Sequence, residues 1–347
     1  MTRIALAVAF LIAAMTGSAS AQTEPSFAIL GFEDLQGWED DTHQAALETF
    51  RNTCDRLNDP DWDALCALAQ EATDAKGFFE LLFRPVMITE EGVDPLFTGY
   101  FEPELSGSPV PTARYRFPVY KMPPEARKIR PWLTRREIET SGVMSGRGLE
   151  IAWVDDAVEL FFLQIQGSGR IRYPDGRMIR VGYAGANGHN YRSVGQEMVR
   201  RGIYNAHQVS AQVIANWVRR NPQAGQELLH HNNSYVFFRE VSEIPADKGP
   251  IGAMSRSITP MRSIAVDPKF TPLGAPVWLE KGGATPINRL MIAQDTGSAI
   301  KGAQRADLFI GTGDEAGKIA GRMKDPGRMV VLMPIQRAYA LLPDTIQ

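Results

Sequence analysis

Cysteine and histidine are scarce in this chain, with two and five copies in 347 residues. No His-x-x-x-His spacing occurs and no histidine pair accompanies the two thiols, so no metal site of the usual zinc pattern is encoded. No glycine-rich phosphate loop precedes a helix, and no cofactor is expected. Neither sign of charge dominates: 37 Lys and Arg stand against 40 Asp and Glu, a formal net charge of −3. That balance gives no basis for a nucleic-acid partner. There is no internal repeat or low-complexity tract, and no apolar run reaches the roughly 20 residues a membrane helix needs.

What is present begins at the N-terminus. Met1-Thr2-Arg3, an apolar stretch from Ile4 to Met15 and Ala19-Ser20-Ala21 have the charge, apolar core and small-residue site of a secretory signal cut after Ala21. The cleavage site carries no cysteine, so no lipid anchor is expected there. An exported, soluble chain follows, long enough for about two domains. In an oxidising compartment Cys54 and Cys66 are expected to form a structural disulfide, stabilising by roughly 2–4 kcal/mol. Thirty-one glycines and 23 prolines indicate many turns and a mainly β chain with accessory helices.

Ala46, Leu47, Phe50, Cys54 and Leu57 recur at helical spacing, and Trp62, Leu65, Cys66 and Ala69 mark a second helix after Asn58-Asp59-Pro60. The disulfide would staple this helical hairpin. Phe97–Pro103 and Tyr115–Tyr120 read as short strands bounded by Gly and Pro. Leu133–Glu139 carries a Thr-x-x-Glu capping box. Glu159–Gly169 has the apolar density of a buried strand ending in a tight turn, and Arg170–Val181 reads as a hairpin with Asp175-Gly176 at its turn. Helices are expected after Ser193, from Ser210 to Arg219 and near Asp314–Met323, with strands at 234–238 and 329–333.

Three aspartates stand out between Arg262 and Phe309: Asp267 in Ser-Ile-Ala-Val-Asp-Pro, Asp295 in Ala-Gln-Asp-Thr-Gly-Ser, and Asp307 in Arg-Ala-Asp-Leu-Phe. Aspartate before Pro or Gly often only caps a turn. A carboxyl among small and apolar residues is also poorly solvated, which favours its protonated form and suits it to donate a proton. Arg305, two residues before Asp307, would face the same side of a strand. A free guanidinium there would oppose proton donation, so Arg305 is expected to point away or be engaged elsewhere.

From about Phe97 to Pro334 the chain resembles the lytic murein transglycosylase A family. The resemblance rests on Thr98-Gly99-Tyr100, Gln164-Ile165-Gln166-Gly167-Ser168-Gly169, Gly182–His189, Arg262–Asp267, and Asp295–Gly302 with Asp307. It implies a double-psi β-barrel with a smaller β-rich domain inserted and a glycan groove between them. Residues 22–105 would form the helical hairpin and the first part of the barrel, 106–203 the insertion, and 204–347 the rest of the barrel. The resemblance makes Asp307 the catalytic residue with Asp295 close by, and gives Thr98, Tyr100, Gln166, Gly167 and Ser168 places on the groove wall. Tyr183 and Asn187 suit sugar recognition, Lys301 could orient a substrate carboxylate or carbonyl, and Asp267 reads as structural. The partner implied is the peptidoglycan glycan strand, with cell-wall synthesis proteins as candidate associates and a monomeric chain. Many relatives are outer-membrane lipoproteins; without the lipid-accepting cysteine, a periplasmic protein at most peripheral to that membrane is expected.

The reaction implied is cleavage between N-acetylmuramic acid and N-acetylglucosamine with closure of a 1,6-anhydro ring. Other readings stay open. Asp295-Thr296-Gly297 is also the aspartic-protease triplet, though that chemistry needs two such aspartates. An inverting glycoside hydrolase would use Asp307 as acid and Asp295 as base. A non-catalytic wall-binding module would keep the groove without depending on an acid.

Overall fold

The computed structural model describes residues 24–57 and 59–341. The expected secretory signal lies outside these residues, as does Asn58. Strands β1 (Ser26–Ile29), β2 (Phe83–Thr89) and β3 (Leu96–Glu102) enter one sheet. The next six, β4 (Glu104–Ser108), β5 (Phe117–Tyr120), β6 (Glu150–Val154), β7 (Ser168–Arg172), β8 (Met178–Ala186) and β9 (Val236–Glu240), pair only with one another in named strands. The chain then returns to the first sheet through β10 (Ser263–Val266), β11 (Pro276–Lys281), β12 (Ile287–Thr296), β13 (Arg305–Thr312), β14 (Lys324–Asp325) and β15 (Gly327–Pro334).

The result is a nine-stranded mixed sheet in the order β1-β2-β15-β11-β12-β10-β13-β3-β14 and a six-stranded sheet in the order β5-β6-β4-β7-β8-β9. This is the expected architecture, with one sheet body inserted into another. The insertion ends later than the expected boundary at 203. β9 pairs antiparallel with β8, from Ala186↔Val236 to Val181↔Glu240, so the chain up to Glu240 belongs to the inserted sheet. Pairing across some fifty intervening residues has no local signature, which is why the boundary was misplaced.

Helices α1 (His43–Arg51), α2 (Pro60–Glu71) and α3 (Ala75–Leu82) precede β2. Their apolar stripe joins the main core: the Phe50 ring lies 6.0 Å from Phe78 and 6.2 Å from Phe83. Cys54 and Cys66 are bonded, as expected, and tie the turn after α1 to α2. The same turn braces the barrel, since Asn52 Nδ2 donates to the Ser257 carbonyl at 3.0 Å and Arg256 pairs with Asp55. Arg262 is almost fully buried and clamped by Asp41 at 2.7 and 2.9 Å, which anchors the start of β10 to the segment before α1.

Within the insertion lie α4 (Pro124–Lys128), α5 (Arg135–Thr140) with its Thr134–Glu137 capping box, and α6 (Ala157–Gln166). The last corrects the sequence reading, in which this run was a buried strand. Leu160 and Leu163 pack against the inserted sheet, whereas Val158 and Phe161 pack against α7 (Val194–Arg200), α8 (Ala211–Arg220) and α9 (Pro222–Leu229). A helix covered on two sides is apolar nearly all round, and its composition then mimics a buried strand. Its ends were nonetheless marked. Asp156 caps the first turn by accepting from Val158 N and Glu159 N, and Gly167 closes the helix in the left-handed conformation at φ 80°. Two further helices, α10 (Gly313–Ala320) and α11 (Ile335–Ala340), flank the last strands.

Candidate active site

The site is built on strand register. β10 runs between β12 and β13, and Ala265 stands opposite Asp295 on one side and Asp307 on the other. β3 lies parallel to β13 with Thr98 opposite Asp307, and β14 adds Lys324 opposite Thr98. Directly paired residues share a face, so Asp295, Ala265, Asp307, Thr98 and Lys324 form one row. The opposite face, with Phe97, Ile264, Val266, Ala306 and Leu308, is buried in the barrel core. A register shift next to Ala265 decides the row's membership. Gln294 is the extra residue: it is fully buried with its amide on Ser263, and Asp295 takes the place opposite Ala265. Only the small Ala265 side chain stands between the two acids in the row.

The two carboxylates are served differently. Asp295 Oδ1 accepts from Ala253 N and Thr296 N, each at 2.9 Å, and Oδ2 accepts from the Tyr100 hydroxyl at 2.9 Å. Asp307 Oδ1 accepts from Thr98 Oγ1 at 2.6 Å. Among the described residues no group bonds Asp307 Oδ2. Tyr100 is held in place by Phe309, its partner across the strands, at 5.4 Å between rings.

Both carboxyls are reachable by solvent yet surrounded mostly by protein, and burial pushes both above the ordinary aspartate range. For Asp295 the three donors oppose that rise, while the nearby Asp307 adds to it. For Asp307 only Thr98 and Arg305 oppose it. A carboxyl with a raised folded pKa contributes stability at low pH, and that contribution is lost as pH climbs through the raised value. Ionised Asp307 therefore opposes folding at neutral pH. Asp307→Asn is expected to melt at a higher temperature than the parent at pH 7, with the difference shrinking as pH falls below the ordinary carboxylate range; calorimetry at both pH values measures it.

Arg305 does face the same side as Asp307. Its guanidinium is engaged by the Leu96 and Ala306 carbonyls and by Thr98 Oγ1, at 2.8 Å from the last. Gly99 explains its place in Thr98-Gly99-Tyr100: a Cβ there would lie 2.9 Å from the Ala320 Cα of α10. Gln166 joins the two sheet bodies beside the row, since its Oε1 accepts from Phe101 N at 3.0 Å. Gly167 caps α6 and Ser168, nearly buried, starts β7. Tyr183 is 57% exposed, a free aromatic face on β8.

Three residues fall elsewhere. Asn187 is fully buried; its amide donates to the Leu133 and Asn233 carbonyls and accepts from Tyr235 N. No part of it remains for a sugar, so its sequence-based role is corrected to a structural one. Lys301 is exposed, 3.9 Å from Asp267. Asp267 is buried and accepts from Lys269 N and Gly302 N, which pins the turn after β10 to the approach to β13.

Sequence reasoning missed a second cluster. Glu102, at the end of β3, is fully buried, with Arg170 Nε at 2.9 Å, Arg180 Nε at 2.7 Å and the Thr312 hydroxyl at 2.9 Å. Both arginines also reach the Lys248 carbonyl on the returning chain. The cluster sits where the chain leaves the barrel for the insertion. An acid directly before Pro103, at a strand end, was the available signal. The backbone N–H of Ala253 left no such trace.

Comparison with known proteins places these features in a family. Residues 96–239 match the MltA specific insert domain, and residues 262–333 match the 3D domain. The membrane-bound lytic murein transglycosylase A of Vibrio cholerae is 35% identical over 267 residues, 73% of this chain and 70% of that protein. The crystal structure of a membrane-bound lytic murein transglycosylase from Agrobacterium tumefaciens superimposes with a TM-score of 0.82 at 30% identity, covering 91% of this chain and 100% of that one. The Escherichia coli MltA with bound chitohexaose gives a TM-score of 0.71 at 26% identity, covering 89% and 94%. With both domain matches falling on the sheet bodies described above, the chain belongs to the lytic murein transglycosylase A family.

Proposed function

We propose that this chain is a peptidoglycan lytic transglycosylase in which Asp307 acts first as acid and then as base. One observation carries the reading: two half-buried carboxylates share a row, one held by three donors and the other with a free oxygen. Three hydrogen bonds favour an ionised Asp295, which can stabilise positive charge, whereas Asp307 Oδ2 is left to hold a proton. That asymmetry separates the two roles.

In the reaction, Asp307 gives its proton to the oxygen linking N-acetylmuramic acid to N-acetylglucosamine. The C1–O bond breaks as oxocarbenium character develops at C1 of the muramic acid. The Asp307 carboxylate then removes the proton from the C6 hydroxyl of the same sugar, whose oxygen bonds to C1 and closes the 1,6-anhydro ring. Asp307 ends protonated, ready for the next cycle. No water is consumed, and attack from within the substrate supplies a large effective molarity.

The glycan is assigned to the outer face of the row, between Gln166 and Tyr183 on the inserted unit and Tyr100 on the barrel. Tyr183 offers a ring face for stacking on a sugar. The chitohexaose bound to the E. coli protein supports a glycan ligand. Among the described residues no helix is long and apolar enough to cross a membrane. An exported enzyme in the periplasm, with access to the wall, accommodates both this and the membrane-bound names of its relatives.

Mass analysis of soluble products from purified sacculi tests the reading. Muropeptides with anhydro ends are expected from the parent and none from Asp307→Asn. Reducing ends would instead establish hydrolysis with Asp295 as base, and binding without release of any product would leave a wall-binding module.

A further inference from the structure

Thr98 was expected on the groove wall, yet its hydroxyl lies between two charged groups. Arg305 Nη2 donates to Thr98 Oγ1 at 2.8 Å, and Thr98 Oγ1 lies 2.6 Å from Asp307 Oδ1. A hydroxyl owns one hydrogen. Because the guanidinium has no acceptor, it must be the donor in the first contact. The Thr98 hydrogen is then free to point only at Asp307, and Oδ1 becomes an obligatory acceptor. We propose that Arg305 is a positioning residue which acts through Thr98: it orients the hydroxyl so that the catalytic proton of Asp307 resides on Oδ2, the oxygen that no described group bonds, and so that the carboxylate left after donation is stabilised at once.

This rests on the assignment of Asp307 as the acid. The groups facing that carboxyl are few. β3 contributes Thr98 and, two pairs further along on the same face, Tyr100; β12 contributes Asp295; β10 contributes only Ala265; Arg305 lies on its own strand. Lys324 of β14 stands beyond Thr98 and is exposed. Arg305 is itself held on two further sides by the Leu96 and Ala306 carbonyls, so its fork is pre-oriented rather than free to swing onto the acid. A guanidinium bonded directly to Asp307 would hold it ionised and unable to donate. Placed one hydroxyl away, it tempers the rise caused by burial without abolishing it, which suits a group that must be an acid and then a base within one turnover. The hydroxyl it polarises is also a stronger donor to the developing carboxylate.

The test uses the full chain and four variants: Thr98→Val, Thr98→Ser, Arg305→Met, and the Thr98→Val/Arg305→Met double. Turnover of isolated glycan strands is followed across pH, and the Asp307 carboxyl is titrated by carbon-13 NMR. Activity requires protonated Asp307, so it falls as pH rises through that group's pKa. Removing either member of the relay raises the pKa, and the alkaline limb should move up by about one pH unit in Thr98→Val and in Arg305→Met. Turnover at the optimum should fall roughly tenfold. Thr98→Ser keeps the hydroxyl and the position of the limb. The double variant should move the limb no further than Thr98→Val alone, because Arg305 has then lost its intermediary.

A full additional shift on removing Arg305 in the Thr98→Val background would show that Arg305 works by charge alone, and would overturn the relay. So would an unmoved limb in Thr98→Val. That variant is nearly isosteric, so its comparison with Thr98→Ser decides the matter even if Arg305→Met does not fold. The carbon-13 titration reports on the relay without any turnover. Full activity in Asp307→Asn would overturn the acid assignment instead, and the two failures are thereby distinguishable.

Discussion

Asp307→Asn is expected to lower turnover of peptidoglycan by about 10²–10⁴-fold, the range contributed by a positioned general acid. An amide cannot give a proton to the glycosidic oxygen or take one from the C6 hydroxyl, so both halves of the cycle fail together. The amide oxygen can still accept from Thr98, and the strand row is unchanged, so the fold and affinity for glycan should survive. Initial rates on sacculi, paired with a pull-down on the same sacculi, separate these effects. A variant that binds normally and still turns over within threefold of the parent would remove Asp307 from the chemistry. Asp295→Asn should be milder. It retains an oxygen for the Ala253 and Thr296 amides and loses mainly the negative charge facing the reacting sugar.

The largest effect on stability is expected at a residue away from the chemistry. Glu102→Ala would leave Arg170 and Arg180 charged and largely buried without their common partner. Removing one member of a buried ion cluster typically costs about 3–5 kcal/mol, because the remaining charge is desolvated and uncompensated. Against a net stability of only about 5–15 kcal/mol, that loss should be plain in denaturant unfolding. The position of the cluster adds a second consequence. Glu102 ends the barrel strand that carries Thr98 and Tyr100, the two arginines belong to β7 and β8 of the insertion, and their shared carbonyl at Lys248 lies on the returning chain. Loosening that junction should reduce turnover as well as stability, because Glu102 shares its strand with Thr98 and Tyr100 of the row. Glu102→Gln, which keeps the shape and one acceptor but no charge, should fall between the parent and the alanine variant in both measurements. Equal unfolding midpoints for all three would mean that the cluster holds nothing.

The unusual setting of Asp295 and Asp307 was legible in the sequence. Asp295 and Asp307 stand in short segments of β-forming and small residues, and a carboxyl in such surroundings announces itself by the burial it will suffer. The disulfide followed from two cysteines and the expectation of an oxidising compartment. Helix caps at Thr134 and Ser193 were readable because their signals are local. Where the reading failed, the deciding contacts were not local. Glu159 to Gln166 looked like a strand because neighbours on two sides demanded apolar residues nearly all round the helix. Asn187 looked available for sugar because nothing near it in the chain shows that Leu133, Asn233 and Tyr235 consume its amide.

The amino-acid order by itself determined which residue types this protein has available: two acids of unusual setting, a glycine that lets α10 approach β3, a cysteine pair, and no metal-binding pattern. Tertiary structure decided which of these meet. An extra residue at Gln294 carries Asp295 into line with Asp307, and parallel pairing of strands 209 positions apart places Thr98 against the acid. The two carboxylates then differ in how many donors each receives, three for Asp295 and one for Asp307 among the described residues. Register and donor count are properties of strands brought together from distant parts of the chain, and no local pattern of residues encodes them.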